Sequence, residues 1–467
     1  MITIKTLPVS LALVLIVAAP AAGQPMRLAD ALREADAKAF ANRQARAGTD
    51  ADRARAAQPL RGMLPAARVE GGLVRTTDPI GAFGTTLRQR AVSPAAFDPA
   101  RLNDPSPVNN VVGSVVLEVP VFNGDAIAGW KAARTAADAS AAMTDWTAVA
   151  TRASVARAWF GSVLAAEKVA MLEEARTAAQ AGVRQVEAMV RQGLVTKADA
   201  LQASVRAGEV TAELLQARND ATTAGQQLAM LLGRTTGEAL AVPSSLPADS
   251  ALRHLAAVDT TSLAGADVNT ALDTRDDVHA AHLGLRAARA DEQRALGTLI
   301  PRLNGFARYD YNSPTTLYAG KPNWTVGVMG SWSLFGGASE LADLAGTRAR
   351  RRAAAAGDDA ARTNARVEAD AATRAVRVAL ERLDLAALNE AQSREAFRLV
   401  DKRYQGGLAT IAERLGAETA ATGAALAHAA ARYALIDALV MHRRALGADP
   451  GALAVLDSTS DSRGVAR

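Results

Sequence analysis

Two stretches of this chain, residues 125–191 and 338–404, run for 67 residues each without a proline, and both are full of Ala. An α-helix rises 1.5 Å per residue, so each stretch predicts a rod of roughly 100 Å. No single globular core is that long. Val149, Phe160 and Val163 mark one apolar stripe of the first rod, and Val155, Trp159, Ala166 and Val169 mark a second. Two stripes predict neighbours on both sides, with Ala allowing close approach.

Each rod ends in the same turn. Gly193-Leu194-Val195-Thr196-Lys197-Ala198-Asp199 recurs in kind as Gly407-Leu408-Ala409-Thr410-Ile411-Ala412-Glu413, with the acid six positions after the Gly in both copies. The Gly frees the backbone to reverse, and Thr followed three residues later by an acid (Thr196 and Asp199, Thr410 and Glu413) reads as a capping box opening a return helix. Those return helices span about 196–232 and 410–446, and each closes on a Leu-Gly pair, Leu232-Gly233 and Leu446-Gly447. The chain is a tandem duplication.

The duplication extends upstream. A helical pattern over about 26–62, with Leu28, Ala31, Leu32 and Ala35 on one face, stops at Leu64-Pro65, and one over about 273–299 stops at Ile300-Pro301. After each proline the period changes to two. Ala67, Val69, Gly71 and Leu73 alternate with Arg68, Glu70 and Gly72, and Leu303, Gly305, Ala307, Tyr309 and Tyr311 with Arg302, Asn304, Arg308 and Asp310. Returning strands follow at 111–122 and 324–335, the latter with Trp324, Val326, Val328, Gly330, Trp332 and Leu334 on one face. About ten residues of apolar-out, polar-in alternation fits an outer-membrane barrel strand, and also a soluble hairpin packed on helices. The first strand pair is joined by a long turn-rich excursion, about 76–110, and the second by a short one, about 312–323. Val121-Phe122-Asn123-Gly124 and Leu334-Phe335-Gly336-Gly337 then lead into the rods.

The expected plan is therefore a leader at 1–23, a first repeat at 24–233, a linker at 234–267, a second repeat at 268–447 and a frayed tail at 448–467. The leader has Lys5, an apolar run from Leu7 to Ala19, and small residues for cleavage at Ala19-Pro20-Ala21 or Ala21-Ala22-Gly23. That run is too short to anchor in a bilayer, and no later stretch reads as a transmembrane helix. The mature chain is expected beyond the inner membrane.

Composition and motifs exclude most chemistry. The chain has no cysteine, which removes disulfides, thiolate metal sites and cysteine nucleophiles. Its net charge of +5 comes from Arg interleaved with Asp and Glu, a solvated face and not a nucleic-acid patch. No phosphate-binding loop of the Gly-Lys-Ser/Thr kind occurs, so nucleotide hydrolysis, if it drives anything here, belongs to a partner. His279 and His282 could begin a metal site, but no third ligand is evident; Glu173-Glu174 and Asp358-Asp359 read as solvated faces. Gly81-Ala82-Phe83-Gly84 is followed by no helix signal and makes no phosphate cradle. No cofactor and no enzymatic activity are expected.

Four strands cannot close a membrane barrel, because an open edge in lipid leaves backbone groups unpaired. Several chains must share one barrel; two would supply eight strands and three twelve.

The order of these pieces resembles the TolC-like outer-membrane efflux protein family over essentially the whole mature chain. Pro120-Val121-Phe122-Asn123-Gly124 is close to the family's strand-end pattern, Ser333-Leu334-Phe335-Gly336-Gly337 lacks its Pro, and Arg275-Asp276-Asp277-Val278 resembles its helix start with Asp in place of Pro. The resemblance implies a mainly α fold with membrane β: long antiparallel helices plus two β-hairpins per protomer, assembled as a homotrimer with a 12-stranded barrel in the outer membrane and an α-barrel tunnel in the periplasm. It implies an exit duct of a tripartite efflux or type I secretion system, docking a periplasmic adaptor (membrane fusion protein) and an inner-membrane pump. It places the gate at the two turns: Gly193, Leu194, Thr196 and Asp199, with Gly407, Leu408, Thr410 and Glu413. The family's second acid is Gly416 here, and Ala409 stands where some members carry a basic latch, which leaves a ring of Glu413 carboxylates as the expected gate charge. The competing reading is a periplasmic coiled-coil scaffold or adaptor without a pore, against which the duplicated strand pairs argue.

Overall fold

The computed structural model describes residues 25–235, 240–264, 272–316, 319–334 and 336–458. The leader, residues 268–271 at the start of the second repeat, Phe335 and the last nine positions of the tail lie outside the described residues. The chain divides into two compact units, one within Met1–Asn42, Val149–Gly265 and Asp370–Arg467, the other within Arg43–Ala148 and Ala266–Ala369.

In chain order the first repeat runs α1 (Leu28–Lys38), α2 (Phe40–Ala56), β1 (Ala66–Thr76), α3 (Pro79–Arg88), α4 (Pro99–Asn103), β2 (Val108–Phe122), α5 (Gly124–Arg191) and α6 (Lys197–Leu231). Then come α7 (Asp249–Ala264), α8 (Asp276–Gly297), β3 (Arg302–Ser313), β4 (Lys321–Ser331), α9 (Ser339–Gln405) and α10 (Ile411–Ala445). Helices α5 and α9 are 68 and 67 residues long, and each is unbroken, as the proline-free runs require.

The first unit is an all-helical bundle. Leu28, Leu32, Trp159, Phe160, Leu435 and Leu439 fill its centre, with the Trp159 and Phe160 rings edge to face at 4.8 Å. Each such side chain taken out of water contributes about 1.5–3 kcal/mol. Three expectations change here. The single helix expected over 26–62 breaks at Ala39, where the backbone turns extended and the Asn42 amide donates to Ala35 O at 3.2 Å. The cause is tertiary: Gly233 approaches so closely that a Cβ on it would lie 2.2 Å from Lys38 O. The expected linker holds α7, whose Leu252, Leu255 and Ala256 enter the core, and the expected frayed tail sends Leu453 and Leu456 into it. Helix α10 is, against the sequence reading, long and apolar enough by composition to cross a membrane, yet its Leu435, Ile436, Leu439 and Val440 are buried in this bundle.

The second unit carries one antiparallel sheet in the order β1-β2-β3-β4, so the two hairpins join through β2 and β3. Close backbone approaches bring helix ends together beside it: a Cβ on Gly297 would meet Asp125 N at 2.7 Å, and one on Gly62 would meet Ala126 Cβ at 2.7 Å. Arg275, nearly buried, donates to Asp277 Oδ2 at 2.8 Å and Glu368 Oε2 at 2.9 Å and lies 4.6 Å over the Trp146 ring. Strand β4 ends four residues earlier than the alternation suggests, because Trp332 leaves the ladder and its indole donates to Leu299 O at 3.1 Å. The excursion after β1 is not an open loop but contains α3 and α4, so Gly81-Ala82-Phe83-Gly84 lies inside a helix started by Asp78, which accepts from Gly81 N at 2.6 Å.

Candidate functional site

The two turns are built identically. Gly193 and Gly407 take φ of +73° and +71°, the left-handed region that costs a side chain and suits glycine. Leu194 N donates to Met189 O and Gly193 N to Val190 O, both at 3.0 Å; Leu408 N donates to Arg403 O at 2.8 Å and Gly407 N to Tyr404 O at 3.0 Å. This double closure satisfies the last carbonyls of each long helix. The next helix opens two residues on. Asp199 Oδ2 accepts from Thr196 N and Thr196 Oγ1, both at 2.8 Å, while Asp199 N donates to Thr196 Oγ1 at 3.3 Å. Glu413 Oε2 accepts from Thr410 N at 2.7 Å and Thr410 Oγ1 at 3.1 Å, and Glu413 N donates to Thr410 Oγ1 at 3.2 Å. Those bonds, the backbone one first, hold the exposed Glu413 carboxyl below its ordinary range.

Val186, Ala203, Tyr404 and Ile411 pack the two turns into one small core, leaving Leu194 and Leu408 exposed at the turns themselves. Sequence reading missed Arg414, whose Nε donates to Asp401 Oδ1 at 2.6 Å and whose guanidinium lies 5.7 Å from the Tyr404 ring centre. It ties α10 to the end of α9. An Arg directly after the capping acid was the only signal for it. Nearby, Arg403 donates to Leu408 O at 3.1 Å and braces the second turn; the first has Gln192-Gly193 where the second has Gly406-Gly407.

The sheet has two chemically distinct faces, and the strand register shows it. Val69, Val115, Tyr309 and Trp324 stand in one row across all four strands, and Ala67, Leu117, Ala307 and Val326 in another. Val69, Leu73, Val121, Trp324, Val326 and Val328 on this face are exposed. The opposite face carries Arg68, Glu118, Asn304, Arg308 and Asp310, cross-linked to one another: Arg68 to Glu118 at 3.4 Å, Asn304 to Glu118 at 3.2 Å and Arg308 to Asp310 at 2.6 Å. An apolar face this continuous demands an apolar surrounding. Both edges, β1 and β4, end without a further strand in this chain.

The other sequence candidates go elsewhere. His282 Nδ1 lies 3.7 Å from Asp358 Oδ2, and Asp358, expected on a solvated face, is buried against Arg362. Glu173 pairs with Arg218 at 2.7 Å. Among the described residues no group of three or more His, Asp or Glu side chains could hold a metal ion.

The sequence profile of the outer membrane efflux protein family matches residues 31–234 and 268–448. No sequence among the curated proteins matches. Among solved structures, a membrane protein from Pseudomonas aeruginosa is similar at a TM-score of 0.76 and 19% identity, over 90% of this chain and 92% of that one. The CmeC outer membrane channel of Campylobacter jejuni is similar at 0.75 and 15%, over 90% and 85%, and the outer membrane protein VceC of Vibrio cholerae at 0.72 and 19%, over 90% and 96%. These likenesses establish the fold. With both repeats covered by the family profile, the chain belongs to the outer membrane efflux protein family: it is an exit duct of the outer membrane with a periplasmic helical part, and not an enzyme.

Proposed function

We propose that this duct works as a homotrimer, closing one twelve-stranded barrel from three four-stranded sheets and passing cargo delivered by an inner-membrane pump through a periplasmic adaptor. The observation that carries the reading is the sheet, which has an exposed apolar face, a polar face linked by its own ion pairs, and two open edges. In lipid such edges are untenable for a lone chain, and pairing β1 of one copy with β4 of the next removes them all. Cross-linking and light scattering of the detergent-solubilised protein should give a trimer. A monodisperse monomer would overturn the assembly.

The gate is proposed at the two turns, with Gly193, Leu194, Thr196 and Asp199 alternating around the mouth with Gly407, Leu408, Thr410 and Glu413. The exposed Leu194 and Leu408 give an adaptor apolar handles, and the carboxylates of Asp199 and Glu413 focus negative potential that favours cations. A second reading has its own support: both acids already cap their helices through the threonine bonds above. Glu413→Gln separates the two, because an amide oxygen still accepts from Thr410 N. Loss of cation preference in reconstituted channels, with the oligomer intact, assigns the charge to the mouth; unchanged preference leaves it to the cap.

A further inference from the structure

The excursion after β1 does not lie beyond the strand ends; it lies across one face of the sheet. Gln89, just past α3, donates from Nε2 to Asn109 O at 2.8 Å and Asn110 Oδ1 at 3.0 Å, and Asn110 Nδ2 donates to Asn312 Oδ1 at 2.8 Å. Further along, Asn323 Nδ2 donates to Arg88 O at 3.2 Å and Arg90 to Pro322 O at 3.0 Å. The register puts Asn110, Asn312 and Asn323 on the same face as Ser114, Arg308 and Asp310, the polar one. Gln89, Asn110, Ser114 and Asn312 are all buried. A strap thus crosses from β2 over β3 to β4, held by a row of buried amides.

The strap is amphipathic the opposite way from a surface helix. Ala82 is 2% exposed, and Thr86 and Gln89 lie on its stripe, facing the sheet; Ile80 is 85% exposed and Leu87 49%, seven residues apart on the other side. Arg90, at φ +53°, ends the helix in a left-handed turn without glycine, a cost that its bond to Pro322 O helps offset. If the apolar face meets lipid, the polar face lines the conduit, and Ile80 and Leu87 project into it from a wall otherwise lined by Arg, Asp and Glu.

We propose that this strap is an apolar filter inside the outward end of the barrel, favouring apolar and amphiphilic small molecules over hydrated ions. Apolar side chains at a narrowing resist water and ions by dewetting, and a solute that sheds water easily passes them at lower cost. The inference rests on the exit-duct reading and names its cargo class. Ile80 and Leu87 do not serve folding, since neither is buried.

The chain has no native cysteine, so Met329→Cys places a single thiol on the polar face, six residues deeper than Asn323 and about 20 Å from it along β4. Intact cells lacking general porins receive a charged thiol reagent from outside, and its rate of modification is compared in three backgrounds: the unaltered strap, Ile80→Ser with Leu87→Ser, and Gln89→Ala. The expected result is modification at least tenfold faster in the serine pair and faster in Gln89→Ala, with a much smaller change for an uncharged apolar maleimide. Equal rates of charged-reagent modification in the first two backgrounds overturn the filter and leave the duct intact. Modification in none of the three overturns the duct reading along with the filter.

Discussion

The two repeats agree closely at one end and part at the other. Their Gly-Leu-x-Thr turns share φ, double closure and capping box almost atom for atom, and their return helices are both 35 residues long. Their strand pairs are joined quite differently, by the two-helix strap in the first repeat and by residues 314–320 in the second. A duplication preserves what both copies need. The turns answer to backbone geometry, which leaves little latitude, whereas the strand connections answer to whatever occupies the outward end, where one elaborate copy per chain suffices.

The sharpest break of this comparison uses two glycines with the same φ. Gly193 and Gly233 sit at +73° and +75°, but a Cβ on the first meets nothing within 4 Å and one on the second would strike Lys38 O. Gly193→Ala should cost about 1–2 kcal/mol, the left-handed penalty alone. Gly233→Ala should cost more than about 4 kcal/mol or prevent accumulation of folded protein. Unfolding midpoints of the two variants decide it, and equal losses would show that the α1–α2 break does not depend on Gly233.

A smaller effect is expected from grafting the second repeat's short connection in place of residues 77–107. The sheet keeps its register and faces, losing only the amide bonds at Gln89, Asn110 and Asn312, each worth about 1 kcal/mol. A heat-resistant oligomer of unchanged size should survive with a midpoint a few degrees lower. Loss of assembly would make the strap structural.

The smallest effect on folding concerns Glu413. Its carboxyl is held below the ordinary value of 4.5 by the Thr410 amide first and hydroxyl second. A carboxylate depressed in the folded state adds stability that is present above its unfolded value and lost as pH falls through the folded one. The charge at the second turn should therefore persist at pH 4.5, and reconstituted channels should keep their cation preference there and lose it only in more acidic solution. Half-loss at or above pH 4.5 would mean that the capping box opens when the channel forms.

Much of the fold was legible because it follows from local rules. Pro65 and Pro301 end helices, Gly193 and Gly407 turn them, Thr196 and Thr410 restart them, and the alternation around Trp324 gives the strand faces. What escaped notice was decided at a distance or written faintly. The break at Ala39 comes from a backbone 194 positions away, and nothing in Lys38-Ala39-Phe40 announces it. Helix α7 did leave a trace in Leu252, Leu255 and Ala256 after Pro247, masked by the prolines, serines and threonines around it. The strap was obscured because its three glycines and prolines suggest turns, while the Gln and Asn that pin it are ambiguous until the register places them together. At the turns the capping pairs were readable, and the Arg414 brace was not, since its partners lie on α9.

The two bare edges of the sheet also bear on how the molecule is made. A strand edge in water recruits any other edge, and in lipid it forfeits several hydrogen bonds at once. A solitary newly exported subunit therefore has no comfortable place to keep its finished sheet. The helical bundle, whose core is complete within one chain, can form first and wait. The strands are then the last part to mature, and insertion and association become a single step whose speed rises with the local supply of subunits.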